Sequence, residues 1–207
     1  EESVYHSNPH VADTDGDGLS DGAEINPYGT NPLALDTDGD GLGDGAEVNL
    51  YATNPIVVDT DGDGLSDGAE VNSYVTNPLV VDTDSDGLSD GAEINVYGTN
   101  PLAVDTDGDA MPDGYEVHVV CLLANANDGQ GDADGDMLVN VSEFNTGTDP
   151  CNADSDSDSV SDGSDNCPTV ANGPAQAAIP GVGNQTNADG DSMGDACESD
   201  DDNDGTL

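Results

Sequence analysis

Apolar residues return along this chain at fixed phases, 23 residues apart in its first half. Leu19, Leu42, Leu65 and Leu88 hold one phase, continued less regularly by Met111, Leu138, Val160 and Met193. Six residues on come Ile25, Val48, Val71, Ile94, Val117 and Phe144, and three further on Tyr28, Tyr51, Tyr74 and Tyr97. Apolar pairs then close each unit: Leu33/Leu35, Ile56/Val58, Leu79/Val81 and Leu102/Val104. The stretch from leucine to tyrosine predicts a short helix of about two turns, opened by Ser, Asp and Gly and carrying Glu in its first turn. Thr-Asn-Pro stops it, because a residue before proline avoids the helical region. The apolar pairs read as extended leads into the next unit. With about five apolar side chains per unit, packing falls between neighbours, which predicts an elongated repeat stack with short helices, little regular structure and no global core.

The polar positions are stricter still. The string Asp-Thr-Asp-x-Asp starts at residues 13, 36, 59, 82 and 105; related strings start at 132, 154 and 187, and a partial one at 200. If the first Asp is position 1, acids fall at positions 1, 3, 5, 9 and 12, with a turn residue at 6 and an apolar residue at 7. That is the ligand spacing of a twelve-residue EF-hand calcium loop. Alternate short carboxylates turn inward, position 7 offers its backbone carbonyl, and the longer Glu at 12 reaches back. The candidate ligands are Asp13, Asp15, Asp17, Leu19, Asp21 and Glu24, then Asp36, Asp38, Asp40, Leu42, Asp44 and Glu47. The third and fourth loops offer Asp59, Asp61, Asp63, Leu65, Asp67, Glu70, and Asp82, Asp84, Asp86, Leu88, Asp90, Glu93. The fifth and sixth offer Asp105, Asp107, Asp109, Met111, Asp113, Glu116, and Asp132, Asp134, Asp136, Leu138, Asn140, Glu143. The seventh and eighth offer Asp154, Asp156, Asp158, Val160, Asp162, Asp165, and Asn187, Asp189, Asp191, Met193, Asp195, Glu198. The only acids outside this register are Glu1, Glu2, Asp128, Asp149, Asp200, Asp201, Asp202 and Asp204. A disordered acidic tail would not distribute its acids in this way. Loops five to eight replace the position 6 glycine by Ala110, Met137, Ser159 and Ser192, so weaker or differently turned sites are expected there. Asp165 is shorter than Glu, and Asn140 and Asn187 bring neutral oxygens.

Composition makes the cation necessary rather than optional. The 207 residues hold 46 acids and no Lys or Arg, for a formal charge of −46. Ordering them costs on the order of 200–400 kcal/mol of chain entropy, which 33% apolar residues and a single Phe do not offset. Without Lys or Arg, nucleic acid binding is excluded, and no apolar run is long enough for membrane insertion. No signal peptide is visible, as expected of a mature chain or of one cut from something longer. Eight divalent ions would bring the charge to about −30.

Three segments organise the chain: 1–12 as the end of a partial repeat, 13–116 as regular repeats and 117–207 as irregular ones. Pro112 to Ala126 is more helical and apolar, and with Leu138, Val141 and Phe144 is the expected best core. Cys121, Cys151, Cys167 and Cys197 all lie in the irregular part. Three pairings are possible; a sequential one would staple one irregular unit with each bridge. Zinc is the rival, but no CxxC exists. Disulfides and weak calcium loops together indicate an oxidising, calcium-rich space. His6, His10 and His118 show no metal spacing, no catalytic constellation stands out, and the tyrosines read as packing residues rather than a sugar-stacking ladder. Asn140-Val-Ser142 and Asn184-Gln-Thr186 fit the N-glycosylation pattern, the first discounted because Asn140 serves its loop.

Asp-Thr-Asp-Gly-Asp-Gly-Leu-Ser-Asp-Gly-Ala-Glu over 13–24, Tyr-Gly-Thr-Asn-Pro-Leu over 28–33 and Asn-Thr-Gly-Thr-Asp-Pro over 145–150 resemble bacterial thrombospondin type 3 repeats. Residues 162–170, 187–198 and 200–205 are similar to the animal form of the same family. The resemblance spans essentially the whole chain. It implies a calcium-wrapped, elongated extracellular array, sequential disulfides, and more than one ion per repeat, so that eight ions is a lower bound. Dockerins share the loop but are two-repeat modules.

The expected protein is therefore not an enzyme. It is a calcium-stiffened rod at a bacterial cell surface or outside the cell, in an adhesin, a stalk or a filament. The alternative is a calcium-binding appendage of a secreted enzyme; a calcium sensor would need more than three methionines. The ends add a partner. In register, Glu1 is the last ligand of a loop whose beginning is absent, while Asp200, Asp202 and Asp204 begin a loop that stops short. Either the chain is a slice of a longer array joined to flanking domains, or copies join head to tail and share that ninth site.

Overall fold

The computed structural model describes residues 7–8, 10–178 and 183–200. They fall into two compact units, Glu1–Val104 and Asp105–Leu207. Among the described residues there is no strand, and the helices are short.

The first unit repeats one motif four times. Helices α1 (Asp21–Ala23), α2 (Asp44–Ala46), α3 (Asp67–Ala69) and α4 (Asp90–Ala92) each begin at loop position 9. Ser20, Ser66 and Ser89 cap three of them, each hydroxyl accepting the N–H two residues into the helix. The second turn differs from the α-helix that the spacing predicts. Over Glu24–Tyr28, Glu47–Tyr51, Glu70–Tyr74 and Glu93–Tyr97 the chain widens into a π-type turn. The glutamate carbonyl at position 12 accepts from the N–H five residues on: that of Glu24 from Gly29 N, that of Glu70 from Val75 N and that of Glu93 from Gly98 N, each at 2.6 Å; in the first turn Asn26 is extended ahead of Pro27. The wider turn carries Thr30 over its own glutamate.

Each turn ends on a left-handed residue: Gly29, Ala52, Val75 or Gly98. A β-branched side chain at φ 65°, as in Val75, is strained, and this one is 71% exposed. Val75→Gly is therefore expected to raise stability by about 1 kcal/mol, read as a higher melting temperature in excess calcium. An unchanged or lower one would show that Val75 packs usefully.

Little of the interior is apolar. Leu19, Leu42, Leu65 and Leu88 are buried as expected, whereas the apolar pairs of the extended leads stay between 44% and 55% exposed. Position 10 glycine sets the register between repeats. A Cβ on Gly68 would lie 2.5 Å from the carbonyl oxygen of Asp40, and one on Gly45 or Gly91 would collide with Asp17 or Asp63 in the same way. The Gly68 N–H donates to Asp40 Oδ2 at 2.6 Å, and that of Gly91 to Asp63 Oδ2 at 2.7 Å.

The second unit holds α5 (Asp113–Glu116), α6 (Asn140–Thr146) and two 3-10 turns, Asp162–Ser164 and Pro174–Gln176. The segment from Pro112 to Ala126 is less helical than its sequence suggests: α5 ends at Glu116, ahead of β-branched Val117, Val119 and Val120. Met111, Leu122 and Ala124 are buried, but Val120 is 95% exposed. Tyr115 meets Phe144 at 4.6 Å between ring centres, tilted by 52°, but Leu138, Val141 and Phe144 are only half-buried, so the expected core is smaller than its sequence suggests. The disulfides are sequential, Cys121–Cys151 and Cys167–Cys197.

Candidate metal centres

Each loop wraps its own carboxylates with its own backbone. Asp13 accepts from Gly16 N through Oδ1 and from Gly18 N through Oδ2, at 2.6 and 3.2 Å. Asp15 Oδ1 accepts from Asp17 N, and Asp17 Oδ1 from Leu19 N. The same pattern recurs at Asp36, Asp38 and Asp40, at Asp59, Asp61 and Asp63, and at Asp82, Asp84 and Asp86. The turn gathers positions 1, 3 and 5 so that ligand oxygens of Asp13, Asp15 and Asp17 lie within 4.8 Å of one another, as do those of the next three loops.

What remains after that wrapping is a set of oxygens without partners. Asp15, Asp38, Asp61 and Asp84 each bury an Oδ2, and Glu24, Glu47, Glu70 and Glu93 each bury an Oε2, with no hydrogen bond. The glutamates at position 12, including Glu116 and Glu143, are 0% exposed. Burying an ionised carboxylate without a counter-charge costs several kcal/mol, and the chain has no Lys or Arg to supply one. At effective dielectric 20, two carboxylates 4.8 Å apart repel by about 3 kcal/mol. The donor set is oxygen only, with a glutamate able to bind through both oxygens; it fits a hard cation, calcium above all. When bound, the ion would be held by positions 1, 3, 5, 7 and 12 and would supply the positive charge that the chain lacks.

The electrostatics agree. Burial, reinforced by neighbouring aspartates, pushes the carboxyls of Glu47, Glu70, Glu93 and Glu116 up to about 8, and those of Glu24 and Glu143 to about 7. In the cation-free chain these groups hold protons more tightly folded than unfolded. Their contribution to the cation-free fold is therefore fully present below the ordinary glutamate value of 4.5 and is lost as pH rises through 7 to 8. Calcium must displace those protons. Calcium added at pH 6.5 is expected to release protons, close to one from each of the first six loops, while at pH 9 it releases few. Calorimetry in two buffers of different ionisation enthalpy measures this; equal release at both pH values would contradict it.

Position 9 has a double placement. Both oxygens of Asp44 accept from Thr37, through its N–H at 2.7 Å and its hydroxyl at 2.6 Å, locking the loop's own entrance. The same lock recurs at Asp21, Asp67, Asp90 and Asp162. Asp44 also groups with Asp17 and Glu24 of the loop before it. Asn140 keeps the lock with its carbonyl, accepting from Ala133 N, and donates to the Asp128 carbonyl. Buried threonine at position 18 escaped the sequence reading, which took Thr-Asn-Pro only as a helix stop. The Thr53, Thr76 and Thr99 hydroxyls donate to Glu47, Glu70 and Glu93 Oε1 at 3.2, 3.1 and 3.0 Å and orient them. Its fixed recurrence 17 residues after each of the first four loop starts was the available signal.

Loops five to seven keep the left-handed turn, whereas Ser192 of the eighth does not adopt it. Ala110, Met137 and Ser159 take the left-handed conformation that glycine takes at position 6, at φ 79–82°. Asp105 and Asp132 wrap as Asp13 does, while Asp154 accepts from Asp158 N through Oδ1 and from Ser159 N through Oδ2. Asp134 and Asp156 again leave a buried Oδ2 without a partner, and Asp165 does so at position 12. In the eighth loop Asn187 Oδ1 accepts from Gly190 N and Asp195 locks Ala188. Of the terminal half-loops, Glu1, Asp202 and Asp204 lie outside the described residues.

Comparison with known proteins follows this geometry closely. Residues 13–34, 36–57, 59–80 and 82–103 match the family described as bacterial TSP3 repeat, and residues 145–174 and 186–207 match thrombospondin type 3 repeat. No curated protein matches the chain. Among solved structures, the B domain of a biofilm associated protein is 51% identical over 22% of this chain and 11% of its own, with a TM-score of 0.22. The BSP domain of a biofilm associated protein is 50% identical over 21% of this chain and 8% of its own, with a TM-score of 0.21. The chain thus spans about a tenth of the length of those structures.

Proposed function

We propose, for a chain that belongs to the thrombospondin type 3 repeat family, a mechanical role: a calcium-stiffened rod outside the cell, spacing or joining the parts of a surface adhesin or stalk. The observation that carries this reading is the row of fully buried glutamates in a chain without a single Lys or Arg. Such an interior is built for cations, at least one per loop, and its contacts run between neighbouring repeats. Two disulfides and a standing need for calcium suit an extracellular setting. Catalysis has no place in this account, since the carboxylates are committed as ligands.

Negative-stain electron microscopy in millimolar calcium, before and after a chelator, tests the role. Thin rods that lose their form with the chelator are expected. Fibres that fall apart would add head-to-tail joining through Glu1 and Asp200, Asp202 and Asp204. Compact round particles in calcium would contradict the rod.

A further inference from the structure

Asp128 is one of the few acids outside the loop register, and the structure puts it to use. In the regular repeats the loop is closed from downstream by an Asp-Gly pair. Asp44 groups with Asp17 and Glu24, and the Gly68 and Gly91 N–H groups donate to the position 5 aspartates 28 residues before them. In the second unit Gly163 does the same for Asp136, 27 residues back. After the fifth loop the longer spacer moves the next loop away, and Asp128-Gly129 arrives instead. The Asp128 and Gly129 N–H groups donate to Asp109 Oδ2 at 3.0 and 2.6 Å, across only 19 and 20 residues. A Cβ on Gly129 would lie 2.7 Å from the Asp109 carbonyl oxygen, the contact that the other Asp-Gly pairs make.

The site this pair closes lacks a positive charge more plainly than the others do. Glu116 is 0% exposed, and neither of its carboxylate oxygens has a hydrogen-bond partner. Both oxygens of Asp107 are likewise buried and unpartnered. Asp128 anchors one oxygen on Leu123 N at 3.2 Å and leaves Oδ1 buried without a partner. After burial itself, Asp109, Asp107 and Asp128 in that order act most strongly on the Glu116 carboxyl.

We propose that Asp128 is a calcium ligand of the fifth loop, contributed by the spacer in place of the next repeat's position 9 and completing an oxygen site with Asp107, Asp109 and Glu116. The inference rests on the calcium reading above. It also explains how a 27-residue spacing keeps a full site: an Asp-Gly pair is portable, and the spacer needs only to deliver it.

The test is a CaCl2 titration of the whole chain, followed by NMR at the Gly108 and Glu116 amides for loop five and at the Gly62 and Glu70 amides for loop three. In Asp128→Asn, which keeps the bond to Leu123 N, the loop five midpoint is expected to rise at least tenfold, since even outer-shell changes cost about 10–100-fold. Loop three stays in place and reports that the chain is folded. An unmoved loop five midpoint overturns the proposal. In the unaltered protein the Asp128 carboxylate carbon is expected to shift with the same midpoint as that of Glu116. A carboxylate signal indifferent to calcium overturns the proposal without any variant. If neither loop responds to calcium in the unaltered protein, the calcium reading itself has failed, a different outcome.

Discussion

Chelating calcium at pH 8 is expected to abolish the fold rather than loosen it. Without the ion, each regular loop holds three carboxylates within 4.8 Å and a fully buried glutamate beside them. At about 3 kcal/mol per pair, the repulsion in two or three loops exceeds the roughly 5–15 kcal/mol that holds an ordinary domain together. The apolar interior cannot resist it, because each repeat of the first unit buries one leucine of that phase and leaves its extended apolar pair half exposed. Small-angle scattering reads the outcome. The radius of gyration should move to about 50 Å, the value for an unfolded chain of this length, and the short helices should vanish from the far-ultraviolet spectrum. The disulfides Cys121–Cys151 and Cys167–Cys197 survive the chelator and keep only their own units crosslinked. A scattering curve unchanged by the chelator would mean that something other than calcium compensates the charge.

Second in size is a single methyl group. Gly68→Ala places a Cβ 2.5 Å from the Asp40 carbonyl oxygen and nearly as close to Leu42 N. Both are backbone atoms of a wrapped loop, so neither can give way without opening the site that Asp40 serves. A loss of about 3 kcal/mol is expected, with weaker calcium binding in both the second and third loops. Gly22→Ala is the matched control. Gly22 holds the same position 10 in the first loop, but nothing lies within 4 Å of its Cβ. Alanine there should be neutral or stabilising by up to about 1 kcal/mol, by helix propensity alone. Melting curves of the two variants in calcium separate them. Equal effects would mean that glycine at position 10 serves helix geometry and not the contact between repeats.

Much of this was legible in the sequence because ligand geometry is local. Positions 1, 3, 5 and 12 lie within twelve residues of one another, so the wrapping of Asp59, Asp61 and Asp63 follows from spacing alone. The helix start at position 9 follows from Ser66 and its neighbours. Contacts between repeats were not legible. Gly68 looks like any turn glycine until Asp40 is seen against it, and Asp67 reads as a ligand of its own loop until its lock on Thr60 appears. The π-type turn escaped because it rests on a backbone N–H reaching a carbonyl five residues back, as Val75 N reaches Glu70, which the pattern of side chains does not encode. Asp128 escaped for the opposite reason: it is out of register in sequence and in register in space.

The claim at the centre of this account is that the interior is completed by calcium, loop by loop. Native mass spectrometry of the chain, exchanged into a volatile calcium buffer, counts those ions directly. Eight or more bound calcium ions in a narrow charge-state distribution is the predicted result. A folded chain carrying four ions or fewer would contradict it, because buried, uncompensated glutamates would then have to coexist with a stable structure.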